Sequence, residues 1–167
     1  MDQTLIFKPR PSSGWLWVGG LGVLMLALGI TPTLGGISLS ETWFPLVISG
    51  GLGLFFIALA AWFPTLRYEL DDEALTLRYG PILHYRIPLQ EIKEMRRRNL
   101  QITLWSSMRM PGLALFTVPY ADAGNVKMCA SACATRILLI DTEHGPYGIT
   151  PADEETFVAA VKERMER

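Results

Sequence analysis

The chain has 167 residues, half of them hydrophobic, with 15 Lys and Arg against 16 Asp and Glu and a formal net charge of −1. A balance this close to zero removes the global electrostatic case for a nucleic-acid partner. About 60 residues go to the N-terminus and one long apolar stretch, and the roughly 100 that remain make one small domain and not two.

The first residues, FKPRPSSG among them, hold prolines that resist helix and read as a flexible lead-in over 1–14. An apolar stretch over 15–63 follows, broken once by a short polar turn (LGGISLSET). Its two halves, 15–37 and 43–63, contain no ionisable side chain. At ~1.5 Å per residue each is long enough to cross a hydrocarbon core of ~30 Å, so the stretch reads as a transmembrane helical hairpin. The first run is longer than the apolar region of a cleavable signal peptide and a second follows at once, so it is expected to be retained. Trp15, Trp17, Trp43, Phe44, Trp62 and Phe63 stand near the span ends, where amphipathic rings favour the headgroup level.

Lys8 and Arg10 precede the first span and Arg67 follows the second, whereas the connecting turn carries only Glu41. The excess of flanking cations places both termini in the cytoplasm. Within the spans, Ser49 and Gly53 form a small-xxx-small pair that suits close helix packing. A transport path normally shows polar or ionisable groups at mid-membrane, and the hairpin reads as an anchor instead.

From Leu66 the pattern alternates, the period of half-buried strands. Tyr68 and Leu70 alternate with Arg67 and Glu69, and Asp71-Asp72-Glu73 turns the chain. Leu75, Leu77 and Tyr79 come next, then the Gly80-Pro81 turn, then Leu83, Tyr85 and Ile87. Arg78, His84 and Arg86 fall on the outward face of this meander. Pro88 interrupts the ladder before KEMRRRN and NLQITLW, which read as a short turn and more strand. Lys93, Arg96, Arg97 and Arg98 are the densest positive charge in the chain; with Arg109, in the loop at 106–112, they are candidates for contact with anionic lipid or a partner. The alternative is a strand edge kept from aggregating by charge.

Strands are expected at 113–118, 126–130, 136–141 and 147–149, all antiparallel, with turns at 122–125 and 143–145. Thr150-Pro151-Ala152-Asp153 reads as a helix start with Thr150 as N-cap. Phe157, Val161 and Met165, with Val158 beside them, make an apolar stripe on this last helix. The C-x3-C of Cys129 and Cys133 is the one arrangement with metal or redox potential, and a zinc site would need two further ligands, with His84, His144 and carboxylates as the choices. Two small structural cysteines are the preferred reading. No phosphate loop, H-E-x-x-H or G-x-S-x-G motif is present, so neither catalysis nor a cofactor is expected.

YELDDEALTLRYG, the IPLQEI step, MPGLAL, GNVKMCA, RILLIDT and YGITPADEETFVAAV, in this order directly after two spans, resemble the membrane-anchored bacterial pleckstrin-homology-like (PH-like) domains. The resemblance implies an α+β fold: the two-helix hairpin, then a domain over 64–167 built as an antiparallel β-barrel or sandwich of about seven or eight strands closed by a C-terminal helix. It does not carry over phosphoinositide binding, because the lysine and arginine loop signature of some eukaryotic relatives has no match here. The function expected is a non-enzymatic binding or scaffolding module at the cytoplasmic face of the cell membrane, with the bilayer and a membrane or cytoplasmic protein, or a second copy, as partners. Two alternatives stand beside it. One is an accessory or immunity-type membrane protein acting through its hairpin; the other is a metal or redox sensor using Cys129 and Cys133.

Overall fold

A computed structural model describes residues 4–36, 38–102 and 109–166. The chain divides into two compact units, Ser13–Phe63 on one side and Met1–Ser12 with Pro64–Arg167 on the other.

The first unit is a pair of helices, α1 (Gly14–Leu34) and α2 (Leu39–Trp62). Both are long and apolar enough to cross a membrane. Leu24, Leu28, Val47, Leu54 and many other large apolar side chains on them are exposed. Their mutual packing is set by small residues. A Cβ on Gly22 would lie 2.8 Å from the Gly53 carbonyl oxygen, and one on Gly53 would lie 2.7 Å from Leu26. A Cβ on Gly29 would strike Ser49. The Ser49 hydroxyl donates to the Pro45 carbonyl at 2.7 Å, so its polarity is satisfied within α2. Pro32 and Pro45 lie inside the helices.

The second unit holds ten strands among the described residues. β1 (Leu5–Phe7) pairs antiparallel with β2 (Arg67–Leu70), which continues to β3 (Ala74–Tyr79) and β4 (Leu83–Pro88) in a four-stranded sheet. A 3-10 turn over Leu89–Glu91 leads to β5 (Ile92–Arg98). The six-stranded sheet adds β6 (Arg109–Met110), β7 (Leu113–Tyr120), β8 (Gly124–Ala130), β9 (Ile137–Thr142) and β10 (Gly145–Ile149), in the order β5-β9-β10-β8-β7-β6. The chain ends in α3 (Glu154–Met165). Of the barrel and the sandwich left open by the sequence, the pairing among the described residues gives two sheets and no single closed barrel.

Four sequence expectations need correction. The lead-in is not a flexible tail where it is described: Phe7 lies opposite Tyr68 in β2 and packs edge-on against Phe157 at 5.1 Å. Backbone bonds from Arg10 to Thr150 and from Ala152 to Lys8 extend the attachment. The short segment finds partners only in tertiary context, which local periodicity does not show. Second, not every pairing is antiparallel, because β10 enters between β9 and β8 and runs parallel to β8. The 131–136 connection therefore bridges two strand spacings, ~10 Å, instead of making a tight hairpin.

Third, α3 begins later than Thr150. Asp153 is the N-cap, accepting the Thr156 backbone N–H at 3.0 Å, while the Thr156 hydroxyl donates to its other oxygen at 2.6 Å. Thr150 is buried; its hydroxyl accepts the Ser131 N–H at 2.8 Å, and Pro151 bridges to Pro9. Fourth, of the helix stripe only Phe157 and Val161 are buried, and Met165 is 41% exposed in the last turn. The expected strand over NLQITLW runs into residues 103–105, and the start of the 106–112 loop, Ile37 and Arg167 also lie outside the described residues.

Both faces of the six-stranded sheet bury apolar side chains. Leu115, Cys129, Leu138 and Ile140 lie on one; Val118, Tyr120, Val126, Met128, Ile137 and Leu139 form a cluster on the other. Two-sided burial explains the unbroken ILLI of β9, which does not alternate. Tyr68 ties the sheets together: its hydroxyl donates to the Cys129 carbonyl at 2.9 Å and accepts the Thr150 N–H at 3.2 Å.

Candidate functional site

The cations of β5 do not form one patch. Strand alternation puts Met95 and Arg97 on the face toward α3 and Arg96 and Arg98 on the other. A register shift between Ile92 and Glu94 sets Lys93 at a bulge. Each of these cations has a carboxylate neighbour: Lys93 with Glu143 at 3.7 Å, Arg96 with Asp141 at 2.6 Å, Arg97 with Glu154 at 2.8 Å and Arg98 with Asp122 at 3.6 Å. Exposed pairs of this kind add little stability, but they cancel the local charge. The Arg97 pKa is raised by its hydrogen bond and charge interaction with Glu154. Arg109 pairs with Ala114 at the opposite edge of the sheet, so the structure separates it from the β5 run.

A groove of about 460 Å³ opens between β5 and α3. Met95, Leu138, Val158 and Ala159 supply its apolar lining, and Arg97, Glu154, Glu155 and Lys162 its polar one. Among the described residues β5 has a neighbouring strand, β9, on one side only. Its other edge leaves main-chain N–H and C=O groups without a ladder partner, the arrangement to which an extended chain can add. The sequence reading missed this groove. Its signal is slight: Met95 stands alone among charges in IKEMRRR, and Val158 and Ala159 flank the buried positions of α3.

A larger pocket of about 660 Å³ is lined by Asp72, Glu73, Arg86, Leu89, Arg164 and neighbouring residues. Its charges answer one another, Arg86 with Glu73 at 3.5 Å and Arg164 with Asp72 at 3.6 Å, and Arg164 also donates to the Leu70 carbonyl at 2.7 Å. It offers no unbalanced charge.

Cys129 and Cys133 are free thiols. Cys129 is buried in β8, where burial pushes its thiol above the usual range and keeps it protonated; its sulfur lies 3.9 Å from the Arg78 carbonyl. Cys133 is half-buried in the 131–136 connection, and its carbonyl accepts from the Tyr120 hydroxyl. Among the described residues no group of three or more His, Cys, Asp and Glu side chains is placed to hold a metal ion. His144 lies 3.7 Å from Glu91, and His84 is exposed on β4. Burial raises the phenols of Tyr68 and Tyr79 far above their usual range and that of Tyr85 less so.

Comparison with curated proteins and with solved structures finds no match to this chain. Residues 66–165 match the model of the family described as bacterial PH domain, whose members are typically non-catalytic binding modules. The match spans β2 to β10 and α3, and by it the chain belongs to the bacterial PH domain family.

Proposed function

We propose that the chain is a membrane-anchored, non-enzymatic module that recruits a protein partner to the cytoplasmic face of the cell membrane. α1 and α2 are the two spans of the anchor, and residues 64–167, together with the segment before α1, form the cytoplasmic domain. Chain order supports an even number of crossings. The segments before α1 and after α2 pair as β1 and β2 in one sheet, so the apolar unit leaves and returns on the same side of any bilayer it enters. Lys8, Arg10 and Arg67 at its ends favour the cytoplasmic side.

The observation that carries the binding reading is the groove between β5 and α3, on a strand with one unpaired edge among the described residues. Its occupant is an extended segment of a partner protein, which adds to the edge through main-chain bonds and places an apolar side chain against Met95, Leu138 and Val158. The alternative places Lys93, Arg96, Arg97, Arg98 and Arg109 against lipid headgroups. Carboxylate pairing of the first four favours the protein. A photo-crosslinking residue at Met95 of the full chain in native membranes is expected to give one discrete protein adduct that the same residue at Thr117 on β7 does not, and Val158→Glu should abolish it. Loss of the adduct on exchange of α1 and α2 for an unrelated hairpin, with the V158E variant still crosslinking, would favour recognition through the hairpin.

A further inference from the structure

The outer face of the four-stranded sheet carries a row of basic residues that lies at neither the β5 run nor the groove. In the register, Arg67 stands opposite Arg78, and Arg78 opposite His84. Phe7 stands opposite Tyr68, and one residue further along the same alternation sets Lys8 beside Arg67. Three strands therefore contribute Arg67, Arg78 and His84 to one line across the sheet, and Lys8, the residue after β1, continues it. Lys8 and His84 are exposed, and the Arg67 and Arg78 side chains are each 44% exposed.

Like charges directly opposite one another on a sheet are destabilising. One carboxylate serves both arginines here: Glu69 lies 2.7 Å from Arg67 and 3.3 Å from Arg78. With Lys8, two positive charges of this row stay unbalanced among the described residues, in contrast to the paired cations of β5. The place of the row in the chain is the second observation. Lys8 lies six residues before the start of α1, and Arg67 five residues after the end of α2. Even fully extended, five residues reach no further than ~18 Å, and a 3-10 turn over Phe63–Thr65 shortens that reach. Thr65, just past the apolar run, accepts the Gly80 N–H at 2.7 Å and holds the β3–β4 turn at the same border of the sheet. The acidic turn Asp71-Asp72-Glu73 is at the other end of β2.

We infer that Lys8, Arg67, Arg78 and His84 form a lipid-facing row that binds the phosphate headgroups of anionic lipids in the leaflet where the hairpin ends. The row rests on the membrane reading given above. Headgroup phosphates supply the anions it lacks, and the arginines offer forked donors to them. Each unbalanced cation near an anionic surface gives about fivefold in association at low salt.

The test uses the full chain in bilayers of phosphatidylcholine carrying trace spin-labelled phosphatidylglycerol or phosphatidylcholine. The ratio of the two lipids in the motionally restricted shell is compared. Wild type is expected to prefer phosphatidylglycerol by about fivefold or more at low salt, falling as salt rises. Lys8→Gln/Arg67→Gln/Arg78→Gln should bring the ratio close to one. Arg96→Gln/Arg98→Gln should leave it unchanged. Unaltered circular dichroism and thermal transition in both variants separate charge loss from misfolding; should the triple variant unfold, Arg78→Gln alone should cut the preference at least twofold. An unchanged preference in the triple or single variant, equal losses in both multiple variants, or no preference in wild type would each overturn the row. A chain extracted from membranes by alkaline carbonate would overturn the anchor instead.

Discussion

Tyr68 is where the two sheets depend on a single side chain. Its hydroxyl joins the Cys129 carbonyl and the Thr150 N–H in a fully buried site. Tyr68→Phe leaves both groups without that partner and should cost about 1–3 kcal/mol, read as a lower denaturant midpoint for the solubilised full chain. The same site fixes an alkaline limit. Burial raises the phenols of Tyr68 and Tyr79 above their unfolded value of ~10, so their contribution is intact below that pH and is lost as pH rises through the folded values. Unfolding midpoints measured from pH 8 upward should hold and then fall above about pH 10. Arg136, exposed with φ of 53°, sits where glycine is at ease. Arg136→Gly removes a left-handed cost of about 1–2 kcal/mol against about 0.5–1 kcal/mol of added chain entropy, and a small rise in Tm is expected. Of these features the sequence shows only the inward phase of Tyr68. The partners of its hydroxyl lie 61 and 82 residues away.

Helix pairing and helix capping both turn on where a side chain cannot or must be. In α1 a Cβ on Gly22 meets the Gly53 carbonyl and Ile57, with backbone on one side that cannot swing away. Gly22→Val should destabilise the hairpin by about 1–3 kcal/mol in thermal melts in detergent, whereas Gly20→Ala, facing open space, should be close to neutral. At α3 the Asp153 carboxyl is held below the usual range by its hydrogen bonds to Thr156. A depressed folded value means the cap contributes above the unfolded pKa of ~3.9 and is lost as pH falls through the folded one. Asp153→Ala should therefore lower Tm at neutral pH and change it progressively less as the pH is taken below ~3.9. A capping signal was legible at this helix start. Its residue was not, because Thr150 is a good cap in isolation and only the tertiary structure buries it and engages its hydroxyl with the Ser131 N–H.

Across the whole molecule, a sheet is completed from both sides of the apolar hairpin. Deleting residues 4–12 removes β1, the Phe7 ring on Phe157 and the Arg10 and Lys8 backbone bonds, and exposes the edge of β2. The truncated chain should melt lower than wild type and aggregate on warming, as light scattering would show. Apolar length and cation bias mark the hairpin in the sequence, because each is a property of consecutive residues. Period-two alternation likewise marks the β2–β4 meander, which buries one face. The sheet at the other end does not follow that rule. β8 and β9 are covered on both faces, β10 lies parallel to β8, and neither fact has a local signature. For function, the four cations of β5 are plain in the sequence, yet tertiary structure sets them against four carboxylates and opens a groove between β5 and α3. The line through Arg67, Arg78 and His84 is decided by strand register, and Lys8 continues it from the end of β1. Sequence determines what a segment can bury or span; only the pairing of distant strands decides which charges are left without a partner.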